Sequence, residues 1–217
     1  MNPLVKRTYS SQLRAAHARD TRRAIVAAAA RLFVEEGFGR TTIDAVAQAA
    51  EVSRKTVFTS VGGKLDLLKQ AVDWATVGDD EPVPLADRPE IEQLRQETDP
   101  AAILRGWVHI VTVIGSRLAG LSGALAVAAG IDQEARVLWE KTQAQRLTGA
   151  SAFVGHLAGQ GALRPDLSVA EAADISWVHS DPALYNRLVL QRGWAQSRFE
   201  EWLYETMTAQ LFGSPIH

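Results

Sequence analysis

Apolar side chains recur at helical spacing along almost the whole chain, and the alternation of a half-buried strand is nearly absent. That feature restricts the fold to helices packed on helices, an all-α architecture. Between residues 20 and 77 the helices must also be short, because caps and turns interrupt the pattern at close intervals. From Asp20 to Glu36 one stripe runs through Ile25, Ala28, Ala29, Leu32 and Phe33, with Arg22, Arg23 and Arg31 off it. Asp20 or Thr21 can cap its start, and Gly37 suits the left-handed residue that ends a helix. Thr41-Thr42 opens a second, short helix with Ile43, Val46, Ala47 and Ala50 inward. Glu51-Val52-Ser53 breaks the pattern, and Ser53 caps a third helix, Arg54 to about Thr59, with Val57 as its anchor. After Gly62-Gly63 a longer helix starts at Lys64, with Leu65, Leu68, Ala71, Val72 and Ala75 inward.

Four segments follow from this pattern. Residues 1–19 read as a flexible basic arm and residues 20–77 as a three-helix head. The proline-rich, charged stretch 78–89, GDDEPVPLADRP, reads as a linker. Residues 90–217 form a larger helical domain, with helices expected near 90–97, 100–119, 121–129, 133–159, 168–179, 182–192 and 195–212. No fixed-period repeat points to a solenoid.

Charge is distributed unevenly. Residues 1–77 hold 12 Lys and Arg against 7 Asp and Glu, net +5, and the rest of the chain holds 11 against 18, net −7. A basic head on an acidic body suits contact between the head and a polyanion, and chance partition of surface charge accounts for it equally well. With no cysteine in the chain, disulfides, thiolate metal sites and cysteine nucleophiles are excluded. No continuous apolar run reaches the roughly 18 to 20 residues that cross a bilayer, and the basic start is not followed by a secretory apolar stretch. A soluble cytoplasmic protein with no membrane partner is expected.

Two short helices joined by a tight turn, with a helix before and after, form a helix-turn-helix headpiece. In that geometry the first short helix braces the DNA backbone, and the second enters the major groove N-terminus first. Residues 54–60, RKTVFTS, fit the second role, with Arg54 and Lys55 at the helix start. Short helix pairs are common, so periodicity alone favours an ordinary helical hairpin with a solvated face over the DNA reading.

Residues 20–75 resemble the N-terminal domain of the tetracycline-repressor (TetR) family, carried by RRAIVAAAARLFVEEGFGRTTIDAVAQAAEVSRKTVFTSVGGKLDLLKQAV. The resemblance implies a sequence-specific transcriptional regulator, a repressor relieved by a small ligand. It implies binding to double-stranded operator DNA as a homodimer, with a C-terminal ligand-binding and dimerisation domain. It also assigns roles: Thr42 to a phosphate, Ser53 to the cap of the recognition helix, Arg54 and Lys55 to bases or phosphates, Thr56 to base or backbone, and Lys64 to a phosphate at the next helix start. Phe58 stands where the family usually has Tyr, so it can pack on sugar or a thymine methyl but cannot donate to phosphate. Thr59, Ser60 and Val61 replace a more aromatic stretch, and Glu51 stands where Gly is common in the turn.

Other signals carry less. Gly62-Gly63-Lys64 lacks the earlier glycine and the following Ser or Thr of a phosphate loop. The five histidines show no metal-ligand spacing, no nucleophile, base and orienter assemble, and no cofactor is called for. An all-helical ligand-binding protein or enzyme with an incidental helix-turn-helix is the alternative. Trp107, Val111, Trp139, Phe153 and Trp177 are the expected pocket, suited to an apolar or aromatic effector. Phe199, Trp202, Leu203 and Leu211 share a face of the last helix that should meet a partner helix or subunit.

Overall fold

The computed structural model describes residues 3–212, with side chains from residue 13 onward. Every regular element in that range is helical. Helix α1 runs from Pro3 to Glu35, so the stretch expected as a flexible arm is the first part of α1 from Pro3 onward. The physical reason lies in residues 4–35, which contain neither glycine nor proline and are rich in alanine. Thr21 is not a cap there. Its hydroxyl donates to the His17 carbonyl one turn back, 2.8 Å away.

Gly37 ends α1 with φ +80°, and α2 (Gly37–Arg40) folds Phe38 back onto Phe33. Helices α3 (Ile43–Ala49), α4 (Arg54–Ser60) and α5 (Lys64–Val77) follow. Thr42 caps α3 by accepting from the Ala45 amide, and Ser53 caps α4 by accepting from the Thr56 amide. The apolar stripes close one core around Ile25, Phe33, Val46, Val57 and Leu68. Leu67 joins it fully buried, and Leu65, expected inward, packs against it half-buried.

Residues 78–88 are strapped down rather than loose. Gly78 turns the chain with φ +97°, and a Cβ there would collide with the Arg117 guanidinium. Asp79 accepts both Nη groups of Arg88 at 2.7 Å, and a 3-10 turn (Leu85–Asp87) leads into α6 (Pro89–Gln96).

Helix α7 (Pro100–Ala129) is a single 30-residue rod where two helices flanking Gly120 were expected. Gly120 permits close packing instead of a break. A Cβ there would lie 2.8 Å from both γ-methyls of Val34 near the end of α1. The C-terminal part of α7, with Leu118, Leu121 and Leu125, completes the head core, while Ile103, Leu104 and Val108 belong to a second core. Among the described residues α7 is also long and apolar enough, by length and composition alone, to cross a membrane. The expectation of no such stretch counted continuous runs, and Arg105, His109 and Arg117 interrupt this one.

The second core also takes residues from α8 (Gln133–Gly159), α9 (Val169–His179) and α10 (Pro182–Tyr185). A π-helical turn (Asn186–Gln191) then leads to α11 (Gln196–Leu211). Phe199, Leu203 and Leu211 are buried within the chain, so that face of α11 meets α7 and α9.

Candidate functional site

Helix α4 is held by one buried side chain and presents the rest. Val57 is fully buried, whereas Ser53, Arg54, Lys55, Phe58 and Thr59 are exposed and Thr56 and Ser60 half-buried. A seven-residue helix cannot be stable alone. Its cap and the Val57 contact with α1 and α3 therefore set its position. The turn before it has Glu51 at φ +55°, the left-handed conformation in which a β-carbon is strained. The sequence departure at Glu51 thus shows directly in the backbone.

The expected DNA-contacting residues are not equally available. Arg54 donates to Asp44 of α3 at 2.6 Å, and its guanidinium lies 5.6 Å from the centre of the Phe58 ring one turn on. Lys55 has no side-chain partner among the described residues. Thr59 turns its hydroxyl back to the carbonyls of Lys55 and Thr56. The Ser53 and Thr56 hydroxyls meet at 2.8 Å. Thr42 is exposed, its oxygen used as a cap and its O–H still able to donate.

Lys64 is folded back. Its ammonium donates to the Gly39 carbonyl at 3.2 Å and sits 4.4 Å above the Phe38 ring, and burial pushes its pKa down. The start of α5 is also not an open anion site, because the Asp66 carboxylate already accepts from the Gly63 amide.

Two groups of contacts escaped the sequence reading. Arg22 of α1 donates to the Ser60 carbonyl at the end of α4, 3.1 Å away. One turn of the same helix holds the strap: Asp80 accepts from Arg19 at 2.7 Å and Arg23 at 2.5 Å, and Glu81 accepts from Arg19 at 2.5 Å. The Asp80 side chain is only 6% exposed, and the two guanidiniums hold its carboxyl well below the usual carboxylate range. The legible signal was charge spacing: Arg19 and Arg23 lie one turn apart on a helix face, and Asp80-Glu81 is the acidic pair that meets them.

Beneath this strap lies a cavity of about 1340 Å³. The strap (residues 80–86), Arg19 and Arg22 wall one side. Trp107, Val111 and Phe153 wall another, as expected, with the two rings stacked 4.6 Å apart. Trp139 and Trp177 do not line it. Trp139 borders a separate cavity of about 240 Å³, and the Trp177 ring packs in the second core, 5.5 Å from the Arg146 guanidinium. Periodicity could not separate them, because pocket and core positions on a helix carry the same apolar signal. His156 lines the large cavity and hydrogen-bonds the Glu97 carbonyl, and His109 pairs with Glu200 at 3.0 Å.

Comparison with known proteins agrees with this architecture. Residues 25–71 match the model of "Bacterial regulatory proteins, tetR family". No curated protein matches the sequence. Among solved structures, the chain is similar to a transcriptional regulator from Saccharomonospora viridis in complex with choline, at 18% identity and TM-score 0.69 over 89% of this chain and 98% of that one. It is also similar to a TetR-family regulator from a Rhodococcus species, at 14% identity and TM-score 0.67 over 88% and 98%. A third is NalD, the secondary repressor of the MexAB-OprM multidrug efflux pump in Pseudomonas aeruginosa, at 20% identity and TM-score 0.63 over 89% and 97%.

Proposed function

We infer that this chain, a TetR-family regulator by its head domain, represses transcription in the cytoplasm by binding operator DNA as a homodimer, and that a small ligand relieves the repression. The observation that carries the reading is the exposed face of α4. Arg54, Lys55 and Phe58 face solvent on a capped helix fixed by Val57, with Thr42 exposed at the start of the brace. A helix so presented can enter a major groove while the brace meets phosphate. Arg54 first has to share or leave Asp44, an exposed ion pair that holds little energy in water.

The large cavity supports a ligand-binding role, because its strap is tied to the turn of α1 that also holds α4. A ligand that displaces residues 80–86 loads the Asp80 contacts to Arg19 and Arg23, and Arg22 between them carries the strain to Ser60. Two heads of a dimer fit successive major grooves about 34–36 Å apart or a multiple of that. A ligand that favours another spacing releases the operator. Coupling of ~1–3 kcal/mol changes operator affinity by about 5- to 150-fold.

Selection of bound sequences from a random DNA pool tests this reading. A two-fold symmetric consensus is the expected result, and Arg54→Ala should relax base preference within each half-site. Failure to enrich any sequence rejects it.

A further inference from the structure

We propose that the large cavity takes an amphipathic anion, an apolar body bearing one carboxylate, and that Arg146 of α8 receives the carboxylate. The inference deepens the ligand-relief reading and rests on it.

Arg146 lines both cavities, yet its side chain is only 13% exposed. Its nearest partners are neutral. Nη1 donates to Gln143 Oε1 at 2.5 Å, Nη2 donates to the Trp177 carbonyl at 2.6 Å and approaches Ser180 Oγ at 3.4 Å, and Nε has no partner. The nearest carboxylate, Asp181, stands 3.8 Å away, beyond hydrogen-bond reach, and is itself 45% exposed. These neutral acceptors orient the guanidinium without balancing its charge. A charge taken from water without a close counter-ion is costly; burial pulls the Arg146 pKa down, and Asp181 at 3.8 Å offsets this only in part.

The other charges around the cavity do not supply that counter-ion. Asp80 and Glu81 are engaged by Arg19 and Arg23, Arg95 pairs with Glu92, and Asp73, its carboxyl pushed up by burial with Lys69 and Lys141 opposing the shift, forms no ion pair with Arg146. Arg22, a second wall cation, reaches only the Ser60 carbonyl. Among the lining side chains Arg19, Arg22, Arg95 and Arg146 stand against Asp73, Asp80 and Glu81, a formal charge of +1. Around it, Trp107, Val111, Phe153 and Ile110 offer the surface that an apolar body would cover. A planar guanidinium fits a carboxylate through two parallel N–H bonds, and each such charged bond is stronger than a neutral one.

Titration calorimetry of the full-length protein with octanoate, 1-octanol and octyltrimethylammonium separates head-group from tail recognition. Octanoate should bind at least about tenfold more tightly than 1-octanol, the ratio expected from one charge-assisted contact. Arg146→Gln should bring the two within about twofold while leaving 1-octanol affinity unchanged, a split that a merely structural arginine would not produce. Asp181→Asn, which keeps the cap on the Ala183 amide, should tighten octanoate binding by removing the negative charge that stands 3.8 Å from the guanidinium and repels an incoming carboxylate. The proposal is overturned by equal affinity for octanoate and 1-octanol, by tightest binding of the ammonium, or by no binding of any probe. Octanoate affinity unaltered in Asp181→Asn overturns it even where Arg146→Gln fails to fold. No DNA is present in these titrations, so loss of the carboxylate preference and loss of operator binding are read separately.

Discussion

Arg22 Nε lies 3.1 Å from the main-chain oxygen of Ser60, so a side chain of α1 closes the open C-terminal end of α4. A charged donor at a helix C-terminus satisfies an orphan carbonyl and complements the negative end of the helix dipole. Arg22→Met keeps the stem and removes the donor. Operator affinity should then fall about three- to tenfold, the worth of one exposed hydrogen bond, with the order of preferred sequences unchanged. Fluorescence anisotropy on the selected site and its single-base variants checks both parts. A changed order of preference would assign Arg22 to base readout.

Glu51 holds the turn between the two short helices at φ +55°. A left-handed backbone costs an L-residue of this kind roughly 1–2 kcal/mol, part of which glycine returns as greater freedom of the unfolded chain. Glu51→Gly should therefore stabilise the protein by about 1 kcal/mol and raise Tm by roughly 2–4 °C. Thermal melts followed by circular dichroism decide it, and a lower Tm would mean that the Glu51 side chain matters more than its backbone.

Lys64 must leave the Gly39 carbonyl and the Phe38 ring before it can touch DNA. If it does so, Lys64→Ala weakens binding to every sequence and lowers the slope of log K against log salt by about 0.9, one phosphate's share. Affinity measured across a salt series gives that slope. A lower Tm with an unaltered slope would confine Lys64 to bracing α2.

Asp80 titrates low because Arg19 and Arg23 hold its charged form. The unfolded chain then binds more protons than the folded one, so stability rises with pH in that window. The contribution is complete above the ordinary aspartate value near 3.8 and drains away as pH falls below it toward the depressed value. Asp80→Asn should lower Tm at pH 7 and flatten the fall of Tm below about pH 4. Asp79, Glu97 and Glu171, also held low, should leave a residual slope. An acid limb as steep as the wild type's would show that the strap is not held by this pair.

The head was legible because local signals there agree with each other. Thr42 and Ser53 cap the helices they precede, Val57 is the anchor, and Gly37 adopts the conformation that its place at a helix end requires. What sequence could not supply was pairing at a distance. Asp80 with Arg19 and Arg54 with Asp44 are matters of tertiary geometry that no periodic pattern encodes. Gly120 misled for a related reason: a helical glycine reads as a stop until the partner that needs its missing β-carbon, here Val34, is known. Likewise only three of the five expected pocket residues face the large cavity, since apolar spacing marks what is turned inward and not what is left hollow.

Helix α7 contributes Leu118, Leu121 and Leu125 to the hydrophobic interior of the head and Ile103, Leu104 and Val108 to that of the remainder. The two halves therefore share a structural member, and neither can melt without stripping the other of buried surface. A fragment cut at the strap would lack the leucines that seal its own centre, so autonomous folding of residues 3–77 is not expected. The intact chain should lose its structure in one concerted step, with the short-helix end and the hollow beneath it disappearing at the same temperature.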